Sequence, residues 1–194
     1  MTFDEISASS SAPLQFNAFI DCYRSAQQED GIGVKSALPF RAFAPLMADI
    51  TLLEFVDNQA LPYRLAGENV LERMGRDVIG KDFLDYIPPA LRLESLTAHR
   101  AMCSLPCGYY MIYENEYVSG QRVKAETMTL PLKKSTSGAA NFFLSYHIHH
   151  KVTGVNLHEK NAALIVGYEL STFVDIGYGL PESATHEAAP ARAR

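Results

Sequence analysis

Between Tyr109 and His149 the chain switches side-chain character at every second residue, in three successive runs. Tyr109, Met111 and Tyr113 share one face of the first run, with Tyr110 and Ile112 on the other. In the second, Val123, Ala125, Thr127 and Thr129 alternate with Lys124, Glu126, Met128 and Leu130. In the third, Phe142, Leu144, Tyr146 and Ile148 alternate with Phe143, Ser145, His147 and His149. A period of two is the period of a β-strand. Turn-forming residues separate the runs at Ser119-Gly120 and at Ser135 to Gly138. Long strands joined by turns this short form an antiparallel meander.

The preceding half alternates between strand and helix signals. Ile50–Val56 and Pro62–Ala66 flank a polar break at Asp57-Asn58-Gln59 and predict a hairpin. Gly67 permits the turn into a helix over Glu68–Met74, Gly75 ends it, and Gly80 opens another short helix. Pro88 and Pro89 sit where the first turn of a longer helix begins, and Pro106 to Gly108 closes that helix after Ser104. Nearer the N-terminus, Phe16, Phe19, Ile20 and Tyr23 recur at helical spacing behind Pro13. That stripe packs either on its own domain or on a second copy of the chain, as a dimer interface. Residues 1–12 are rich in Ser and Ala and are expected to be disordered, as is the tail 181–194. Residues 162–168 read as a further strand or as apolar packing against the sheet.

The fold class is therefore α+β. The order of elements, with the pieces Tyr63-Arg64-Leu65-Ala66-Gly67, Gly75-Arg76-Asp77 and Gly80-Lys81, resembles the PAS domain superfamily. It is similar to a stand-alone PAS-like subfamily common in alphaproteobacteria, whose members also open on a segment like Pro39-Phe40-Arg41 and close like Phe173-Val174-Asp175-Ile176-Gly177. The resemblance implies a domain over residues 36–180, with residues 13–35 as flanking helix and linker. It implies a five-stranded antiparallel sheet with short helices on one face and an N-terminal flanking helix. In function it implies a cytoplasmic, non-catalytic sensory or regulatory module, a homodimer, that binds a small ligand, a protein partner or both. A structural dimerisation module without ligand and a small enzyme using the sheet cavity are the alternatives. With no kinase or cyclase segment in view, the signal is expected to leave through dimerisation or a partner.

Composition limits the partners. A net charge of −5 over 194 residues, without clustered Lys and Arg, argues against a nucleic-acid surface. No apolar run reaches the ~18 residues of a membrane span. Cys22, Cys103 and Cys107 are odd in number and read as reduced thiols.

Few residues suggest chemistry. Tyr109, Met111, Tyr113, Phe142, Leu144 and Tyr146 are candidates to line a ligand cavity. The family resemblance makes His99, on the longer helix, a candidate haem ligand, against the plainer reading of an ordinary helix residue. Cys103 follows one turn later. His147, His149 and His150 form a cluster in which two imidazoles share a strand face, with His158 the nearest further ligand for zinc. The competing reading is a solvent-facing polar edge, and no metal is assigned. Residues 67–87 contain no cysteine, which speaks against a flavin-adduct light sensor.

Overall fold

The period-two runs pair as their alternation requires. The computed structural model describes residues 1–117, 120–150 and 164–182. Its strands are β1 (Gly33–Val34), β2 (Ile50–Glu54), β3 (Tyr63–Ala66), β4 (Gly108–Glu116), β5 (Arg122–Lys133), β6 (Ala140–His149) and β7 (Leu164–Val174). They form one sheet in the order β3-β2-β6-β5-β4-β7, antiparallel at each step. The hairpin docks beside the last meander strand, with Leu52 opposite Leu144. Two strands go beyond the expected five. β1 lies parallel to the end of β5, Gly33 opposite Leu132, and β7 pairs along β4, with Phe173 opposite Tyr109. The polar break of the hairpin holds Asp57 and Asn58 at φ 52° and 56°, the left-handed backbone that two-residue hairpin turns demand.

The helices are α1 (Phe3–Ser9), α2 (Pro13–Ser25), α3 (Phe40–Phe43), α4 (Glu68–Met74) and α5 (Pro89–Ser104). They cover both faces of the sheet. On one face, Phe16, Phe19, Ile20 and Tyr23 of α2 are buried within the chain's own core. The Phe16 ring meets Tyr110 and Tyr146 edge-on at 5.8 Å each, and Phe19 stacks on Tyr146 at 5.6 Å. The Tyr23 hydroxyl donates to the Pro131 carbonyl at 2.9 Å. The residues named as a dimer interface therefore face inward, because the apolar side of β4, β5 and β6 needs cover and α2 supplies it.

The first twelve residues are not the disordered segment their Ser and Ala content suggests. Thr2 and Glu5 form a capping box, each side chain bonding the other's backbone N–H, and Phe3 and Ile6 are buried. A buried carboxylate ties the α1–α2 connection down. Glu126 of β5 accepts from Ser10 Oγ at 2.8 Å, Ser11 N at 3.1 Å and Tyr110 Oη at 2.7 Å. Burial pushes its carboxyl up, and the bonds from Ser11, Tyr110 and Ser10 outweigh burial and hold it below its ordinary value.

On the other face lie α5, the turn Phe83–Tyr86 before it, and α4, around Leu53, Leu61, Val78, Met102 and Phe143. Gly67 matters here by close approach. A Cβ at that position would stand 2.1 Å from the Met47 carbonyl oxygen, so any side chain would push the start of α4 away from the turn Ala44–Asp49. Gly75 ends α4 at φ 63°, a left-handed cap. His158 and the tail beyond 182 lie outside the described residues.

Truncating a fully buried aromatic tests the inner packing of α2. Phe16→Ala is expected to cost roughly 3–5 kcal/mol of stability in urea unfolding. A loss below about 1 kcal/mol, the level of a surface change, would mean that α2 does not cover the sheet.

Candidate functional site

A cavity of about 170 Å³ lies between the sheet and the helices α4 and α5. Its two walls differ in character. Helical spacing brings Leu91, Ala98 and Met102 of α5 to the helical wall, with Phe83, Tyr86 and Ile87 from the turn before it. That wall is mostly apolar, with Ser95 and His99 of α5 among its members. The sheet wall is polar: Thr51 of β2, Tyr113 and Asn115 of β4, Thr127 and Thr129 of β5, and Ser145, His147 and His149 of β6. Val70, Arg73 and Met74 of α4 close one end, and Glu94 and Tyr168 also border the space. The Tyr168 hydroxyl donates to the partly exposed Glu94 carboxylate at 2.6 Å.

Hydrogen bonds order the sheet wall. His147 bridges two threonines, its Nε2 2.9 Å from Thr51 Oγ1 and its Nδ1 2.9 Å from Thr127 Oγ1. Thr127 Oγ1 also lies 3.2 Å from Tyr113 Oη. Ser145 and Thr129 pair at 2.8 Å. The amide nitrogen of Asn115 donates to His149 Nε2 at 3.0 Å. With Nε2 accepting, the proton of neutral His149 resides on Nδ1. That Nδ1 is buried and has no hydrogen-bond partner among the described residues.

Arg73 has the same feature. Its Nη1 donates to Asp49 Oδ1 at 2.8 Å, and Asn69 donates to the other oxygen of that carboxylate at 2.9 Å. Its Nη2 is buried without a partner among the described residues. Two unused N–H donors therefore border one cavity, Arg73 from α4 and His149 from β6. Each such donor costs about 1–3 kcal/mol if it stays unmet.

Burial, helped by the Arg73 charge, pushes His147 down to about 3 and His149 to about 2, the latter further lowered by His147 and His150. Burial takes His99 down to about 4, against the opposing effect of its bond to Ser95. All three rings are therefore neutral at pH 7.

The proposed ligand-lining residues divide by strand face. Tyr109, Met111 and Tyr113 line the cavity. Phe142, Leu144 and Tyr146 lie in the other core, under α2. Strand period forces the split: with Ser145, His147 and His149 turned to the cavity, the even-numbered residues of β6 must point away. For the same reason His147 and His149 are not a solvent-facing edge. His150 instead reaches Glu126, at 3.0 Å. Arg73, Thr51, Thr127 and Asn115 were missed. The one available signal was the row Thr127, Thr129, Ser145, His147 and His149, polar on inner strands of a meander.

His99 lines the cavity, with its ring 4.6 Å from that of Phe143. Its Nδ1–H donates to the Ser95 carbonyl at 2.7 Å, which leaves the Nε2 lone pair free. A haem nevertheless does not fit here, because 170 Å³ is well below the roughly 300 Å³ at which cofactor-sized pockets begin. A flavin is excluded from this conformation on the same ground. Burial pushes the Cys103 thiol up to about 11, so it stays protonated and is a poor metal ligand. Among the described residues, no group of three or more His, Cys, Asp or Glu side chains could hold a metal ion.

Ser11, His150 and Glu126 look like a hydrolytic triad by composition. Both Ser11 Oγ and Glu126 Oε1 contact the same nitrogen, His150 Nε2, at 3.2 and 3.0 Å. A relay needs the two partners on opposite ring nitrogens, so this arrangement cannot activate the serine.

One sheet, backed by helices on one side and closing a chamber against helices on the other, defines an α+β domain with an internal cavity. The chain belongs to the PAS domain family, whose model matches residues 14–146. PAS domains are signalling and sensory modules. Among solved structures the chain is similar to the LOV protein of Rhodobacter sphaeroides, at 14% identity over 72% of this chain and 69% of that one, TM-score 0.42. It is also similar to the PAS domain of an HTR-like protein from Haloarcula marismortui, at 13% identity over 57% and 89%, TM-score 0.40. No curated protein matches the chain. Among the described residues no helix is long and apolar enough to cross a membrane.

Three neutral, half-buried imidazoles imply an acid dependence. Their folded values of about 4, 3 and 2 lie below the ~6.5 of an unfolded histidine. Between those values the unfolded chain binds more protons. The stabilisation is therefore present above pH ~6.5 and is lost as pH falls, by up to about 1.4 kcal/mol per pH unit for each ring. The urea midpoint is expected to drop clearly between pH 7.5 and pH 5. An unchanged midpoint would overturn the assignment of neutral rings.

Proposed function

We propose that this chain is a sensory or regulatory module that binds a small molecule in the chamber between its sheet and α5, without transforming it. The observation that carries this reading is the chamber's make-up: a mostly apolar helical wall facing a sheet wall rich in Thr, Ser, Asn and His, with N–H donors on Arg73 and His149 that no described residue satisfies. Such a space suits a guest with an apolar body and a few polar atoms. Occupancy biases the chain between conformations, and a protein partner reads the difference. The three cysteines are free, which suits the reducing cytoplasm. A purely structural module accounts less well for the chamber, since a filled apolar core would serve it better.

Ala98 tests the reading, because it lies on α5 against the chamber. Ala98→Phe places a ring in that space. A set of small aromatic and aliphatic fragments is expected to raise the melting temperature of the native chain, as any ligand selective for the folded state does, and to leave the folded variant unaffected. Equal stabilisation of both proteins, or of neither, would remove the chamber as the binding site.

A further inference from the structure

The two unmet donors restrict the guest. Arg73 Nη2 and His149 Nδ1 are both N–H groups, and both residues wall the same chamber. Neither can accept a hydrogen bond in its assigned state. Arg73 is charged, and Asp49 engages only its Nη1. The other carboxylate bordering the chamber, Glu94, is held by the Tyr168 hydroxyl. The remaining ionisable groups on the wall are His99, His147 and the tyrosines. His147 is occupied by Thr51 and Thr127, while His99 donates to the Ser95 carbonyl and keeps its Nε2 lone pair. The wall atoms that are buried without any partner among the described residues are therefore both donors, and one of them is on a cation, beside the free acceptor of His99 Nε2.

From this geometry we infer that the chamber's ligand is a small organic monocarboxylate, its anionic head on Arg73 Nη2 and His149 Nδ1 and its apolar body against Leu91, Ala98 and Met102 of α5. The inference rests on the chamber being the binding site proposed above. A guanidinium edge presents N–H groups in the geometry that carboxylate oxygens match. The volume limits the body. A cavity of about 150 Å³ accommodates benzene, and this one, at about 170 Å³, is slightly larger. An aromatic ring or a short branched chain bearing one carboxylate fills it. A neutral amide of the same shape satisfies the donors without meeting the charge. A hydrocarbon of that shape meets neither.

Benzoate, benzamide and toluene separate these cases, titrated calorimetrically into the full chain near neutral pH. Benzoate is expected to bind at least tenfold more tightly than either neutral probe. Arg73→Met is expected to weaken benzoate at least tenfold and to leave toluene unchanged, while Arg73→Lys restores part of the benzoate affinity. If toluene or benzamide equals benzoate on the native chain, the anion reading is overturned and the chamber remains a binding site. Should none of the three bind, both readings fall. If Arg73→Met does not fold once Asp49 loses its partner, the three-probe comparison on the native chain alone decides.

Discussion

The structure depends on a sheet that is covered on both faces although one of those faces is polar. Helices α1 and α2 seal the apolar side through Phe16, Phe19 and Tyr23. On the opposite side α4 and α5 stand over Thr51, Asn115, Thr127 and Ser145, all of them buried. A polar face that cannot reach water must satisfy itself or be satisfied by something else. Here it does both. Threonines bracket His147, Ser145 pairs with Thr129, and Asn115 serves His149. What remains unmet is concentrated at Arg73 and His149.

Much of the frame was legible because it follows from local rules. Alternation located β4, β5 and β6, and the pair of prolines at 88 and 89 marked the start of α5. The polar break Asp57-Asn58-Gln59 announced the hairpin turn, where Asp57 and Asn58 take left-handed backbone. What resisted reading was the partner of each face. Alternation in β6 separates Tyr146 from His147 but does not say which side is buried, and here both are enclosed. A row of Thr, Ser and His on a strand ordinarily means solvent, so the chamber wall passed for an edge. Arg73 was hidden for a related reason: an arginine on a short helix reads as surface until Asp49, twenty-four residues earlier, is seen to anchor it. The α1 capping box was readable in Thr2 and Glu5, but composition argued the other way. Only the docking of Phe3 and Ile6 makes so short a helix stable.

The N-terminal helices therefore belong to the domain and not to an appendage. Tyr23 donates across to Pro131 on β5, and Glu126 on the same strand collects Ser10, Ser11 and Tyr110. An unpartnered carboxylate at that depth would be costly. Its hydrogen bonds outweigh burial and keep it ionised, so the α1–α2 connection is held by a charge that has nowhere better to go. Thus β5 carries a polar anchor on one face, at Glu126, and a polar chamber wall on the other, at Thr127 and Thr129. Neighbouring residues on one strand serve the two layers.

The energetics show why the chamber is not simply an imperfect core. Filling the space with Val and Leu on the sheet wall, and replacing Arg73 on α4, would remove the two unmet donors, at about 1–3 kcal/mol each. It would also remove the requirement that His147 and His149 remain neutral, and it would gain burial at roughly 25 cal/mol per Å². Against a total stability of about 5–15 kcal/mol for a domain of this kind, those are large sums to leave aside. On the helical side the chain behaves as a core should, with Leu91, Ala98 and Met102 packed over the opening. Foregone stability at the sheet wall, beside a cation on α4 fixed by a single carboxylate, sets this chamber apart from a closely packed core.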